Sequence, residues 1–125
     1  MNQLSAQVQD TIAKLRDCHA MCHGMAMTHC LEEGGPHVRP QHFRLMLDCA
    51  QLCATTADFL ERKSQFHTGL CGLCADVNET CAEDCEQLDG MDDCVTACRA
   101  AAQACRVAAR LDHAELLRTA SRHAP

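Results

Sequence analysis

Apolar and polar positions alternate with a period near 3.6 over four long stretches of the chain, the spacing of helices that each bury one face. In the first, Leu4, Val8, Thr11, Leu15, Cys18, Cys22, Met25 and His29 recur at steps of four and three and form one inward seam. The second gives His42, Met46, Cys49, Cys53, Thr56 and Leu60, and the third Cys71, Cys74, Asn78, Cys81, Cys85 and Leu88. The fourth gives Met91, Cys94, Cys98, Ala101, Cys105 and Ala108. Gly and Pro cluster between these stretches, at 34–40, 68–69 and 89–93. The pattern predicts helices over about 3–32, 41–66, 70–88 and 91–110, with Asp92 or Asp93 as N-cap of the last. Segment 111–125 either continues the fourth helix or starts a short fifth one at Asp112. Short connections make neighbours antiparallel, so the expected fold is all-α: a single domain, 1–125, built as an up-down-up-down four-helix bundle with a Cys-lined core.

Composition changes this picture in one respect. The chain has 125 residues, and its aromatic content is only 2%, with three Phe and no Trp or Tyr. Large side chains are scarce, while 12 cysteines occupy seam positions where Leu or Val normally sits. Stacked antiparallel, the seams bring Cys18, Cys53, Cys74 and Cys105 to one height, Cys22, Cys49, Cys81 and Cys98 to a second, and Cys85, Cys94 and Cys30 to a third. Cys30, about 100° around the helix from His29, flanks its seam. Met25, Met46, Met91, His29 and His42 gather at the end beyond the third layer, as a mouth. The opposite half, with Leu4, Val8, Leu15 and Leu60, reads as an ordinary apolar core. His19, His23, His37, His67, His113 and His123 read as solvated surface. Asn78 is the one polar break in the thiol seams; it either sets register or bonds to a thiol.

The formal net charge is -6, which disfavours nucleic acid and anionic membranes as partners because both recruit basic faces. No apolar run reaches membrane length. The start, MNQLSAQVQDTIAKL, has no basic stretch leading into an apolar one, so a cytoplasmic location is expected. In a reducing compartment, 12 cysteines signal metal binding rather than a disulfide framework. No nucleophile–base set, phosphate loop or substrate pocket is evident, so an enzyme is not expected.

Spacing points to the metal. Four C-x3-C pairs (18/22, 49/53, 81/85, 94/98) and one C-x2-C pair (71/74) each present two thiols on one helix face. One such pair is ordinary core packing; five on four seams are not. Cu(I) accepts two or three soft ligands, and a thiol that exchanges its proton for Cu⁺ leaves a neutral unit, which a dry core tolerates. Zn²⁺ on four thiolates would leave each site at about -2. Iron–sulfur clusters favour loop motifs such as C-x2-C-x2-C, which this chain lacks. Multiple Cu(I) ions are therefore the expected ligand, and an iron–sulfur or zinc protein with a redox or buffering role is the alternative.

The motifs C-x6-C-x3-C (Cys74, Cys81, Cys85) and C-x3-C-x6-C (Cys94, Cys98, Cys105) resemble the bacterial copper storage proteins, over about residues 15 to 110. The leaderless start is similar to the cytosolic branch of that family. The resemblance implies a bundle storing many Cu(I) ions on core cysteines, with His and Met near an open end, and a tetramer. A copper chaperone or a small-molecule thiol is the partner expected besides copper itself. Twelve cysteines is lean for that branch, and the first half of helix 1 has none, which implies a smaller capacity.

Overall fold

A computed structural model describes residues 4–118 of the protein. Helix α1 runs Ala6–Met25, passes through a π-helical turn at Ala26–Cys30 and ends with Leu31–Glu33. Helices α2 (Pro40–Glu61), α3 (His67–Cys85) and α4 (Asp92–Ala109) complete the bundle, and a short α5 (His113–Leu117) follows. Helix α1 packs on α2 and α4, and α3 packs on the same two. This is the closed antiparallel order that short connections impose.

Local chemistry accounts for the helix ends. The Ser5 Oγ accepts the N–H of Val8 at 3.3 Å and caps α1. Pro40 opens α2 at a position where its missing N–H costs nothing. Asp112 and Glu115 form a capping box, so the short fifth helix is the reading that holds. Residues 1–3, where the first helix was expected to begin, and 119–125, with His123, lie outside the described residues. The expected Asp92 or Asp93 cap is corrected. Met91 is the N-cap, with no side-chain bond, and both aspartates sit in the first turn, where the helix dipole favours them.

The connections α1–α2 and α3–α4 share one end of the bundle with Cys30 and Met91; the α2–α3 turn lies at the other. At that far end Val8, Leu15 and Leu60 are buried, as expected. Helix α5 folds beneath them and contributes Leu116, 1% exposed, which a five-residue helix is too short to advertise by periodicity. His67 belongs to this floor rather than to the surface. It is buried, with Nε2 at 2.7 Å from the Leu111 carbonyl and Nδ1 at 3.1 Å from that of Ser64. Arg16 pairs with Asp58 and Glu61 across α1–α2, and Arg106 with Asp76 and Glu79 across α3–α4. These pairs are exposed and screened by water, so they add little to stability.

Candidate metal centre

Every one of the 12 cysteines is free and buried, with exposure of 1% or less. The seams therefore converge as their spacing requires. The tightest group is Cys18, Cys22, Cys49 and Cys98, whose sulfurs all lie within 4.8 Å of one another. Its short edges are Cys22–Cys98 at 3.5 Å, Cys18–Cys22 and Cys18–Cys98 at 3.8 Å, and Cys49–Cys98 at 3.9 Å. This group takes one member from the first expected layer and three from the second. Asn78 bonds to members of both layers. Its Oδ1 accepts from Cys18 (3.1 Å), Cys49 (3.2 Å) and Cys53 (3.7 Å). Its Nδ2 donates to the Cys74 carbonyl at 2.8 Å and to the sulfurs of Cys53 and Cys74 at 3.3 Å. Of the two roles foreseen for Asn78, bonding to thiols is observed. Cys53–Cys74 and Cys81–Cys85 pairs extend the sulfur lattice at 4.0 Å each.

The top of α1 departs from the expected register. The π-helical turn Ala26–Cys30 widens the helix by about one residue per turn. The seam beyond Cys22 consequently runs through Ala26 and Cys30, both 0% exposed. Met25 and His29, expected on the inward seam, are only half-buried, and Cys30, expected at its flank, points inward. A π-turn has no signature in a 3.6-residue pattern, so periodicity could not have revealed it.

The expected mouth is roofed. Met46, Met91 and His42 are each 0% exposed. The Met46 sulfur lies 3.5 Å from that of Cys85 and 3.8 Å from that of Cys81; Met91 lies 3.9 Å from Cys30. Above them the imidazoles of His29 and His37 meet edge to face at 5.1 Å. Both turn Nε2 to the Asp89 carbonyl, at 3.2 and 2.9 Å. His37, expected at the surface, is thus part of the roof and 7% exposed. Among the other histidines expected at the surface, His23 is exposed, while His19 and His113 are half-buried and held by the carbonyls of Ala50 and Lys63. A depression of about 420 Å³, lined by Glu33, His37, Arg39 and Asp89 among others, lies between the two roofing loops.

Burial governs the thiols. It pushes Cys30 up to about 11, with the neighbouring charges of Cys85 and Cys22 adding to it. Cys85 is raised by its bond to Cys81 and then by burial, and Cys94 by its bond to Cys22 and then by burial. Within the tight group contact with Cys18 holds Cys98 down to about 6, and contact with Cys18 lowers Cys22 as well. A sulfur-rich core closed to water suits soft monovalent cations.

A family profile described as Csp, copper storage protein, matches residues 4–110. The chain belongs to the copper storage protein family. The uncharacterized cysteine-rich protein YhjQ of Bacillus subtilis (strain 168) is 35% identical over 92 residues, 72% of this chain and 84% of the relative. The crystal structure of the Nmul_A1745 protein from Nitrosospira multiformis superposes with a TM-score of 0.83 at 45% identity, covering 85% of this chain and 97% of that one. The Cu(I)-bound copper storage protein BsCsp3 gives 0.75 at 32% identity, covering 82% and 98%. Apo Csp3 from Bacillus subtilis gives 0.72 at 31%, covering 81% and 97%. The family is one of metal-binding storage proteins, and none of the described helices of this member is long and apolar enough to cross a membrane.

Proposed function

We propose that the protein stores multiple Cu(I) ions as cargo, held by its core thiolates. The observation that carries this reading is the burial of all 12 cysteines in one core, where the sulfurs of Cys18, Cys22, Cys49, Cys53, Cys74, Cys81, Cys85 and Cys98 make contacts of 3.5–4.0 Å. Each thiolate can bridge two copper ions, so about one Cu(I) per thiol keeps the filled core neutral. In this reading Cys18, Cys22, Cys30, Cys49, Cys53, Cys71, Cys74, Cys81, Cys85, Cys94, Cys98 and Cys105 are the storage ligands. Met25, Met46, Met91, His29 and His42 serve entry, with His29 in the roof, Met25 half-buried on α1 and the other three beneath the roof. The roof end offers sulfur donors; the floor is built of Val8, Leu15 and Leu60, and its one buried imidazole, His67, has both nitrogens on the carbonyls of Leu111 and Ser64, so copper passes at the roof.

The rest of the reading is coarser. A single domain in the cytoplasm, where thiols stay reduced, suits this chemistry. A copper chaperone or small-molecule thiol is the proposed donor and acceptor, and assembly into a homo-oligomer, a tetramer by family resemblance, is part of the proposal.

One observation favours a second metal at one place. A tetrahedron of roughly 2.3 Å Zn–S bonds sets sulfurs roughly 3.8 Å apart, close to the edges of the Cys18, Cys22, Cys49 and Cys98 group. A zinc ion there would bury about -2 charges, with only the neutral Asn78 amide beside it, so Cu(I) displaces it. Anaerobic titration of the reduced protein with Cu(I), alone and after zinc loading, tests the proposal. Tight uptake well beyond roughly four equivalents is expected from bridging thiolates. Saturation at one or two copper ions, or retention of zinc against Cu(I), would refute it.

A further inference from the structure

Outside the thiol core one pair of histidines is left without a role. His19 and His23 stand four residues apart on α1, so they share one face, a turn apart. Their rings lie nearly parallel, with 5.8 Å between centroids and 7° between planes. This face is not the buried seam of Cys18 and Cys22: His19 is half-buried and His23 is exposed.

His19 is held by its inner edge. Its Nδ1 lies 2.8 Å from the Ala50 carbonyl of α2. A carbonyl oxygen only accepts hydrogen bonds, so the ring proton sits on Nδ1 and the Nε2 lone pair is left free. A backbone carbonyl behind an imidazole is the arrangement that orients metal-binding histidines and fixes their tautomer. The roof histidines differ, because His29 and His37 both turn Nε2 to the Asp89 carbonyl. Arg16, one turn before His19, is paired with Asp58 and Glu61, which offsets the cation closest to the pair along the helix.

We infer that His19 and His23 form a surface site for one divalent cation of borderline softness, such as Zn²⁺ or Ni²⁺. Neutral imidazoles suit that class, whereas the core thiols suit soft monovalent ions. The inference rests on no part of the copper-storage reading. Two histidines at this spacing on a helix are also the metal-holding part of H-E-x-x-H. Here Ala20 stands in the place of the glutamate, so the site has no general base, and its chemistry is binding rather than hydrolysis. Metal–nitrogen bonds of about 2.0–2.1 Å set two nitrogens roughly 3.3 Å apart, so the stacked rings close on the ion. Exposed His23 makes that movement, the Ala50 bond keeps His19 in place, and water completes the coordination.

NMR of the histidine ring nitrogens in the full chain, with Zn²⁺ as the probe, tests this. The protein is first loaded anaerobically with Cu(I), so that its thiols are occupied. Before zinc, His19 should show a protonated Nδ1 and a bare Nε2. Zinc should then shift His19 Nε2 and one ring nitrogen of His23 together, and leave His29 and His37 unmoved. His23→Ala should abolish the response of His19. A second variant, His23→Ala with Gly24→His, keeps the number of imidazoles but turns the second one about 100° around the helix. Gly24 has open space for a side chain, so this protein should keep the wild-type circular dichroism and still lose the zinc response. A proton on His19 Nε2 in the wild type, no zinc shift at either ring, or a His19 response that survives in either variant overturns the inference. A chain that takes up no Cu(I) overturns storage instead, and the same shifts, read residue by residue in the reduced metal-free protein, still decide the histidine site.

Discussion

The same helices build both halves of this bundle, yet the two halves are filled by different means. Toward the floor, α1 and α2 bury Val8, Leu15 and Leu60, and α5 adds Leu116. Toward the roof, the same seams bury Cys22, Cys49, Cys98 and their neighbours. A thiol excludes water much as a small apolar side chain does, but it brings less area and so less driving force. The floor is thus the half that pins the fold. The thiol half is a packed core whose main asset is a donor atom at each position. Separating the two tasks lets the core take up cargo without being its own scaffold.

The largest effect that would test this separation is copper itself. Ions that bind only the folded state stabilise it by about 4 kcal/mol each at a free concentration 1,000 times Kd. Thermal unfolding of the loaded protein should therefore lie far above that of the apo protein. Circular dichroism should nonetheless show the apo protein helical and cooperatively folded, because the floor does not depend on metal. A coil that becomes helical only with copper would erase the distinction between the halves.

Substitution in each half should give opposite results. Leu60→Ala removes a fully buried floor side chain and should cost about 2–5 kcal/mol in denaturant unfolding, with copper capacity unchanged. Cys98→Ala removes one sulfur from the tightest group. It should cost about 1 kcal/mol, as for other single-heavy-atom deletions, and should lower capacity by at least one ion. A Cys98→Ala protein with full capacity would place that sulfur outside the storage set.

Much of this division was legible beforehand. Steps of three and four fixed the inward faces, and clustered Gly and Pro fixed the breaks, so the four seams and their antiparallel order emerge from the pattern alone. The top of α1 was not legible. The π-turn at Ala26–Cys30 exchanges Met25 and His29 for Ala26 and Cys30 on the inward face, and nothing in AMTHC marks it. His37 was mistaken for a surface residue because it sits in the connection after α1, where no long period applies, and His67 because α3 begins three residues earlier than expected, which puts it one turn before Cys71 on the buried face.

Alkali offers a smaller effect that also separates the halves. Cys30 has its pKa raised from 9.0 to about 11, and Cys85 and Cys94 are raised as well. A raised thiol favours the protonated folded state. Its stabilisation is complete below the unfolded value near 9.0 and is lost as pH climbs toward about 11. The apo protein should unfold at progressively lower temperature across that window. Copper-loaded protein, whose thiols have no protons to lose, should be much less sensitive there. Equal pH dependence of the two forms would mean that the sulfurs are not copper ligands.

The smallest effect concerns the roof. Gly90 has φ +78°, and a Cβ there would come within 2.8 Å of the His29 ring. Gly90→Ala should therefore cost about 1–2 kcal/mol through the left-handed backbone, and it should also displace His29 from the Asp89 carbonyl. The two causes separate with Gly90→Asn. Asparagine tolerates the left-handed region but carries the same Cβ, so it keeps the collision while easing the backbone cost. If His29 is part of a lid, both variants should take up Cu(I), and yield it to a chelator, faster than the wild type in stopped-flow measurements. Capacity should not change, because the thiols stay where they are. Slower loading in both variants would instead make His29 a ligand on the way in, and rates equal to the wild type would remove it from the path altogether.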